Sequence, residues 1–208
     1  MEESKESGGD TFYDKVYSAE RPEIFYKGNK LRSVGPGGQV RIRKDSQWNV
    51  PEPELTLFIN SAGVLAGYSI GNDMSSRDIE GENPLYLSQA KIYYGSNAVG
   101  PMIRPIWEIK DHSSLAIDAK IERGENIVWQ AQTSLAQLNR SFADLIEYLF
   151  RCQSFPVGAI LSTGTGIVPP LDISLEAGDV VTINVAEVGT LVNKVVVTPI
   201  DINEKENL

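Results

Sequence analysis

The sequence predicts one compact, mainly β (α+β) domain with mostly antiparallel strands and one main helix. Short apolar segments separated by Gly- or Asn-containing turns recur along most of the chain, which is typical of antiparallel sheets. A single segment close to residue 145 has helical instead of strand periodicity. The 208 residues show no internal repeat or second domain boundary, and β domains of this length are often single.

Composition excludes several classes of function. The chain is 41% hydrophobic and 23% charged, an ordinary globular balance. Its net charge of -9 argues against binding nucleic acid and gives no support to binding an anionic membrane. No apolar run approaches the roughly 20 residues of a membrane span, and no signal segment is present. We therefore expect no nucleic acid or membrane partner, and a cytoplasmic location.

The only cysteine, Cys152, cannot form a disulfide within the chain, which is consistent with a reducing compartment. Its neighbours Phe150 and Phe155 indicate a packed thiol and not a nucleophile.

The elements of the first 43 residues are predicted from their composition, from the pattern of apolar residues and from the position of proline. Residues 1–10 are polar and Gly-rich, and we expect them to be a flexible tail ahead of a single domain at 11–208. Apolar residues between Phe12 and Tyr17 predict a short helix, which Pro22 ends. Strands are predicted at Glu23–Lys27 and, from alternation of apolar and basic residues, at Val40–Arg43.

A hairpin is predicted next. The apolar run Leu55–Ile59 is followed by a Gly-containing turn at residues 60–63 and a return strand, Val64–Ile70. The return strand brings Asp73 back to the start of the first strand, close to Glu52 and Glu54.

These three acidic residues are candidate metal ligands. Glu52 and Glu54 are two positions apart, so in a strand their side chains leave the same face. Three converging carboxylates repel one another unless a cation lies between them, and oxygen-only ligands suit Mg²⁺, Mn²⁺ or Ca²⁺. The alternative is a solvated strand edge protected by Pro51 and Pro53.

The segment Ser75–Tyr86 is polar and charged, and predicts a mobile loop that covers a site, with a short helical turn at Arg77 and Asp78. The segments after it predict strands at Ala90–Tyr93, Ile106–Ile109, Leu115–Ile121 and Ile127–Gln132.

One helix is clear. Apolar residues between Phe142 and Phe150 recur with the spacing of an amphipathic helix, and they are core residues. Ser141 is a candidate N-cap with Asp144 three residues later. The chain then returns to predicted strands at Ala159–Ser162, Val180–Val185 and Leu191–Val197.

Five stretches together resemble the catalytic domain of the fumarylacetoacetate hydrolase family. They are Pro51-Glu-Pro-Glu-Leu55, Gly71-Asn-Asp-Met-Ser-Ser-Arg-Asp-Ile79, Ala90-Lys91 with Gly100-Pro101, Leu161-Ser-Thr-Gly-Thr-Gly166 and Val188-Gly-Thr-Leu-Val-Asn193. The resemblance covers roughly residues 12 to 200 and is far more specific than any single motif. It implies a rolled β-sandwich with a divalent-metal site, a single catalytic domain at 11–208, and a homodimer or higher homo-oligomer.

The same resemblance implies roles for individual residues. Glu52, Glu54 and Asp73 are the metal ligands, most simply of Mg²⁺, and Lys91 is an active-site lysine beside a small 2-keto acid. The implied substrate-binding residues are Ser76, Arg77, Asp78, Gly164 and Thr165. The alternatives are that Lys91 is a surface lysine and that Thr165 is an ordinary strand residue.

One departure from the family bears on the reaction. Hydrolytic members carry a water-activating histidine near the start of the domain, whereas the matching segment here, residues 17–23, has none. The only histidine, His112, lies in a polar stretch that predicts a solvated loop. The segment instead resembles the branch of the family that dehydrates 2-keto-3-deoxy sugar acids through a metal-stabilised enolate. Glu20 or Glu23 then serves as the acid/base, or the two form a surface ion-pair group with Arg21.

Two rival functions stay open. Within the same fold, the chain is a hydrolase or decarboxylase of acylpyruvates, fumarylacetoacetate-like diketo acids or oxaloacetate. From another class, it is a catalytically silent domain that binds a metal and a metabolite. That branch of the family usually carries an extra N-terminal domain, so the chain is expected to be either a short form or a piece of a longer one.

Overall fold

The structure is a computed structural model in which residues 19–198 are described. These residues form two five-stranded sheets and a two-stranded pair. The strands are β1 (Ser33–Val34), β2 (Gln39–Arg43), β3 (Asn49–Val50), β4 (Pro53–Ile59), β5 (Leu65–Asp73), β6 (Ser75–Ser76), β7 (Asn97–Pro105), β8 (Ala116–Arg123), β9 (Asn126–Ser134), β10 (Ala159–Ser162), β11 (Val180–Val185) and β12 (Gly189–Thr198). The predicted tail at 1–10 and the helix predicted between Phe12 and Tyr17 lie outside the described residues.

The first sheet has the order β1-β7-β5-β4-β10 and is built on the hairpin β4–β5. The Asn60 side chain accepts hydrogen bonds from the backbone N–H groups of Ala62 and Val64, which fixes the turn. The hairpin prediction is confirmed, and it places Glu54 opposite Gly71 near the open end of the strands.

The second sheet has the order β2-β12-β11-β8-β9 and packs on the first through contacts of β12 and β11 with β5. Alternate residues of its strands face the core, as β8 shows with Ile117, Ala119 and Ile121 buried between half-buried polar neighbours. Fully buried side chains between the sheets include Leu55, Leu57, Ile70, Ile117, Ile121, Ile183 and Leu191. The predicted mainly β, rolled sandwich is confirmed, as are the strands corresponding to β2, β8, β9, β10, β11 and β12.

Three α-helices lie in the described part of the chain: α1 (Arg77–Glu82), α2 (Leu87–Lys91) and α3 (Phe142–Phe150). Helix α3 is the predicted amphipathic helix, with Phe142 and Leu145 buried in the core. The Ser141 hydroxyl accepts the backbone N–H of Asp144 at 3.1 Å, so the predicted N-cap is confirmed. No helix within residues 19–198 is long and apolar enough to cross a membrane.

Three predicted strands are wrong. Residues 23–27 form no strand within the described chain, because no neighbouring strand pairs with them. Ala90 and Lys91 belong to α2, and residues 106–108 form a 3-10 helix directly after Pro105. Both segments are too short for periodicity to separate a strand from a helical turn.

Two further predictions need correction. The segment predicted as a mobile loop, Ser75–Tyr86, is built from β6, α1 and a 3-10 turn, and it buries Arg77 and Glu80. Its polar composition is typical of a loop, but two of its charged residues, Arg77 and Glu80, are buried in the site and do not face solvent. Cys152 is exposed, not packed, because it follows the end of α3 in a turn with a φ of 59°.

Candidate active site

Three carboxylates converge at the open end of the β4–β5 hairpin. Glu52 directly precedes β4, Glu54 is the second residue of that strand, and Asp73 ends β5. The backbone N–H of Asp73 donates to the carbonyl of Glu52 at 3.0 Å, which holds the two strand ends together. One oxygen from each carboxylate lies within 4.8 Å of the others. The solvated-edge alternative is therefore wrong, since the three residues are only 3–6% exposed.

The electrostatics of the cluster favour a bound cation. Burial, Asp73 and Glu52 raise the pKa of Glu54 to about 8, against the opposing hydrogen bond from Gly164. Burial also opposes ionisation of Glu52, but Lys91 and Arg77 outweigh it and lower the pKa of that carboxyl. An all-oxygen donor set with one carboxyl that resists ionisation fits a hard divalent cation, which would relieve the repulsion.

Lys91 is buried in this cluster, so the surface-lysine alternative is wrong. Its Nζ donates to Glu52 Oε2 at 2.7 Å and to Ser75 Oγ at 2.8 Å, and lies 3.5 Å from Asp73 Oδ2. Burial lowers the pKa of Lys91, but Asp73 and Glu52 together raise it well above the ordinary value. The side chain is therefore an ammonium group that can donate hydrogen bonds and balance negative charge.

Lys27 is a member of the site that sequence reasoning missed. Its ammonium forms an ion pair with Asp73 and donates to the backbone carbonyls of Met74, at 3.1 Å, and of Lys91. Alternation in an extended segment would have placed Lys27 on the same side as Glu23, four residues earlier. That signal was present in the sequence but was interpreted only as a strand.

The structure separates the two candidate acid/base residues. Glu23 lies within electrostatic range of the cluster: partial burial, Glu52 and Asp73 raise its pKa against the effect of Lys91. Its side chain is exposed at the surface, so this burial is incomplete. Glu20 is exposed, and its backbone carbonyl accepts hydrogen bonds from Tyr148 at 3.1 Å and Arg140 at 3.2 Å. Neither glutamate forms an ion pair with Arg21 within the described chain.

Arg77 joins the carboxylate cluster from the start of α1. Its Nη1 lies 3.3 Å from Glu52 Oε1 and 3.8 Å from Glu80 Oε2, and its guanidinium lies over the Trp48 ring at 5.6 Å. Glu80, which sequence reasoning also missed, lies 3.9 Å from Lys91 Nζ. Burial raises the pKa of Glu80 to about 7 even though Lys91 and Arg77 lower it.

The other predicted substrate-binding residues of this region make internal contacts. The Ser76 hydroxyl donates to Asn49 Oδ1 at 2.9 Å and is fully buried. Asp78 accepts hydrogen bonds from the Ser46 hydroxyl at 2.5 Å and the Gln47 backbone N–H at 2.7 Å. These contacts hold the start of α1 against β3 and do not bring Asp78 to the carboxylates.

A tight turn after β10 brings Gly164 to the cluster. Its backbone N–H donates to Glu54 Oε2 at 2.7 Å, and its φ of +89° is one that residues other than glycine rarely adopt. The Thr165 hydroxyl donates to the Ile167 carbonyl at 2.9 Å within the same turn. Because β10 ends at Ser162, Thr165 is not the ordinary strand residue of the alternative interpretation.

His112 lies away from the cluster. It is exposed in a 3-10 turn, as predicted for a solvated position, and its ring packs on Phe142 with 4.6 Å between centroids. It is not among the side chains whose ligand atoms converge with those of Asp73.

The fold and this cluster define a family of proteins. A family model described as fumarylacetoacetate (FAA) hydrolase C-terminal matches residues 5–196, and the chain belongs to that family.

Within the family, the chain is similar to sugar-acid dehydratases. It is 45% identical to the 2-dehydro-3-deoxy-D-arabinonate dehydratase of Saccharolobus solfataricus, over 90% of this chain and 63% of that protein. It is 40% identical to the probable 2-keto-3-deoxyxylonate dehydratase of Haloferax volcanii, over 93% of this chain and 66% of that protein. It thus spans less than two thirds of the length of these relatives.

A solved structure has the same fold. The structure of 2-keto-3-deoxy-D-arabinonate dehydratase complexed with magnesium and 2,5-dioxopentanoate matches with a TM-score of 0.89 and 44% identity. The match covers 90% of this chain and 67% of that chain.

Proposed function

We propose that this chain carries the catalytic centre of a Mg²⁺-dependent hydro-lyase that dehydrates a 2-keto-3-deoxy sugar acid. The observation that supports this most directly is the buried group formed by Glu52, Glu54, Asp73 and Lys91, with Glu23 within electrostatic range of it. No histidine occupies the acid/base position there. The likeness to two sugar-acid dehydratases supports the same reaction.

Glu52, Glu54 and Asp73 are the residues that would hold the metal ion. Carboxylate oxygens suit Mg²⁺, and Mn²⁺ or Ca²⁺ are the alternatives for the same donor set. When bound, the ion supplies Lewis-acid stabilisation of the negative charge that develops on the keto oxygen.

The chain's own residues supply the proton transfers. Glu23 removes the proton from C3 of the substrate, and the electron pair of the broken C–H bond is delocalised onto the C2 keto oxygen as an enolate. The pair then forms the C3–C4 double bond as the C4–O bond breaks. The C4 hydroxyl leaves as water once Glu23 has returned the proton to it. A raised pKa favours this double role, since a carboxyl that titrates nearer neutrality both accepts and donates protons well. Lys91 balances the negative charge on the substrate as an ammonium group.

The residues around the cluster bind and orient the substrate. Arg77 and Lys27 supply positive charge for a carboxylate, and the Gly164 N–H and the turn at Thr165 form one wall beside Glu54. Ser76 and Asp78 act by holding α1 in place, because their hydrogen bonds are made to the protein.

Substitution of the two glutamates tests this proposal. Glu23→Gln is expected to slow dehydration of 2-keto-3-deoxy-D-arabinonate about 100-fold or more, as for loss of a general acid/base. Mg²⁺ affinity measured by calorimetry should change little. Glu20→Gln is the matched control and should retain activity, because its carboxylate is exposed and outside the cluster.

The rival functions predict other results. Turnover of acylpyruvates or oxaloacetate without dehydration of any 2-keto-3-deoxy acid would replace the proposal by the hydrolase or decarboxylase reading. Absence of all turnover with intact Mg²⁺ binding would favour a silent domain. The intact cluster and its paired lysines argue against silence, because buried charges with perturbed pKa values are concentrated at functional sites.

We further propose a homo-oligomeric protein of the cytoplasm, with residues 11–208 forming the catalytic domain. The net charge of -9 and the single exposed cysteine are compatible with that compartment.

A further inference from the structure

Glu23 lies in a segment of residues 19–27, the strap, that contains no helix and no strand. Within the described chain, residues 21–26 form no hydrogen bond with the rest of the protein. A segment without backbone hydrogen bonds of its own samples many conformations unless its ends are fixed. The position of Glu23 therefore depends on the contacts at the two ends of the strap.

One end of the strap is anchored at the carboxylate cluster. Lys27 forms an ion pair with Asp73 and donates to the backbone carbonyls of Met74, at 3.1 Å, and of Lys91. This anchor fixes the chain four residues after Glu23, but it leaves the residues before Glu23 unconstrained.

The other end of the strap is held by two side chains from the region of helix α3. Arg140 donates through Nη2 to the carbonyl of Ala19 and through Nη1 to the carbonyl of Glu20, the latter at 3.2 Å. The Tyr148 hydroxyl donates to the same Glu20 carbonyl at 3.1 Å. Both lone pairs of that carbonyl are therefore used, and the strap is gripped through its backbone and not through its side chains.

The two gripping side chains lie on one side of α3. Arg140, Asp144 and Tyr148 are spaced by four residues, which places them along one helix face. Asp144 Oδ2 accepts from Arg140 Nη1 at 3.2 Å and so orients the guanidinium towards the strap. The clamp, formed by Arg140 and Tyr148, is thus built before any substrate is bound.

Helix α3 is a firm support for the clamp. Its other face buries Phe142 and Leu145 in the core. The Phe142 ring packs on Tyr68 of β5 with 6.1 Å between centroids, and β5 is the strand that ends at Asp73. The clamp and the carboxylate cluster are therefore connected to the same strand.

We propose that Arg140 and Tyr148 are positioning residues for the acid/base Glu23, which they hold at the site by fixing the strap to α3. This role rests on the dehydration proposed above. Pro22 lies between the clamp and Glu23, and its ring restricts φ, so the link from Glu20 to Glu23 is short and stiff. The clamp acts on the backbone and leaves the Glu23 carboxylate free to meet the substrate.

Catalysis needs this constraint because proton transfer depends on accurate placement. A general base must come within hydrogen-bond distance of the proton that it removes. A displacement of about 1 Å caused by a residue remote from the chemistry can cost up to about 100-fold in rate. Loss of the clamp should therefore lower kcat while the groups that bind the substrate and the metal ion stay in place.

Two conservative variants test the clamp. Tyr148→Phe removes a single hydroxyl, and Arg140→Lys keeps the charge but lacks the planar fork that reaches two carbonyls. Each should lower kcat for dehydration of 2-keto-3-deoxy-D-arabinonate about 10-fold, with little change in KM or in Mg²⁺ affinity. Glu147→Gln is the control and should keep the wild-type kcat, because Glu147 pairs on α3 with Arg151 and not with the strap.

A double-mutant cycle separates positioning from a general effect on the fold. In the Glu23→Gln background, Tyr148→Phe should cause no further loss of kcat, because the carboxylate that the clamp positions is already absent. An equal fold-loss in both backgrounds would overturn the proposal, since Tyr148 would then act on the reaction by a route other than Glu23.

Proteolysis measures the clamp without any use of activity. A glutamate-specific protease, with the products followed by mass spectrometry, should cleave after Glu20 several-fold faster in Tyr148→Phe and Arg140→Lys than in the wild type or in Glu147→Gln. Unchanged cleavage, or faster cleavage with a wild-type kcat, would overturn the proposal. A wild type that dehydrates no 2-keto-3-deoxy acid would refute the proposed function and the positioning role with it, whereas the cleavage rates would still show whether the strap is clamped.

Discussion

Glu54 is the side chain in the site whose ionisation is most strongly opposed, by burial and by two carboxylate neighbours. Its pKa of about 8 in the metal-free protein means that it is protonated at neutral pH. In the unfolded chain it ionises near the ordinary value of 4.5. Between about pH 4.5 and pH 8, the folded state therefore binds one more proton than the unfolded chain. The contribution of Glu54 thus lowers the free energy of unfolding of the metal-free protein as the pH rises through this interval.

This argument predicts the pH dependence of metal binding. Because Mg²⁺ requires the ionised carboxylate, its affinity should rise up to tenfold per pH unit from about pH 6 and level off above the Glu54 pKa of about 8. Calorimetry in two buffers of different ionisation enthalpy should detect release of close to one proton at pH 7.

Glu54→Gln is the matched control for that prediction. The amide resembles the protonated carboxyl in size and can still accept the Gly164 N–H, so the metal-free fold should keep its stability. Mg²⁺ binding should weaken and lose most of its dependence on pH. An unchanged pH dependence in this variant would show that another group titrates.

At the level of residues, the sequence predicted those site members that lie in recognisable patterns. The spacing of Glu52 and Glu54 in a strand and the position of Asp73 after the hairpin were sufficient to bring three carboxylates together. Lys27 was missed because its spacing from Glu23 was interpreted only as a strand, and Glu80 was missed because nothing local distinguishes it from a surface charge. Their burial depends on how the segment around Lys27 and helix α1 pack over the hairpin end.

At the level of elements, long periodic segments were predicted correctly and short ones were not. The β4–β5 hairpin and helix α3 have patterns that extend over several turns or residue pairs. Residues 90–93 and 106–109 are segments of only four positions, too short for their apolar residues to distinguish a strand from a helical turn. The charged residues of α1 were interpreted as a loop because their burial cannot be read from the local sequence. The partner of Arg77 is Glu52, which lies 25 residues earlier in the chain.

The N-cap of α3 carries a prediction for this element. Ser141→Ala removes the acceptor of the Asp144 N–H and should lower the free energy of unfolding by about 1 kcal/mol. Ser141→Asp is the control, because its carboxylate can cap the same N–H and favours the positive end of the helix dipole. Urea unfolding followed by circular dichroism measures both. Equal losses in the two variants would mean that the hydroxyl makes no contribution as a cap.

At the scale of the whole molecule, the metal site joins parts of the chain that are distant in sequence. Glu52 and Asp73 lie at the open end of the β4–β5 hairpin, Lys91 lies in α2, and Gly164 lies in the turn after β10. A cation bound only by the folded arrangement stabilises all of these elements together, since the unfolded chain has no such site. Metal binding should therefore raise the free energy of unfolding of the whole domain and not only order the residues around the ion.

We expect Mg²⁺ at 100 times its dissociation constant to add about 2.7 kcal/mol to the free energy of unfolding at pH 8. For a domain of this size that corresponds to a rise in Tm of roughly 5–10 °C, which differential scanning calorimetry can measure. NaCl at matched ionic strength screens the net charge of -9 equally well but does not bind the carboxylate cluster. NaCl should therefore not reproduce the rise in Tm. The rise should shrink at pH 6, where Glu54 holds its proton, and should largely disappear in Glu54→Gln. Equal stabilisation of that variant by Mg²⁺ would place the bound ion outside the cluster, since the cluster would then lack one of its three carboxylates.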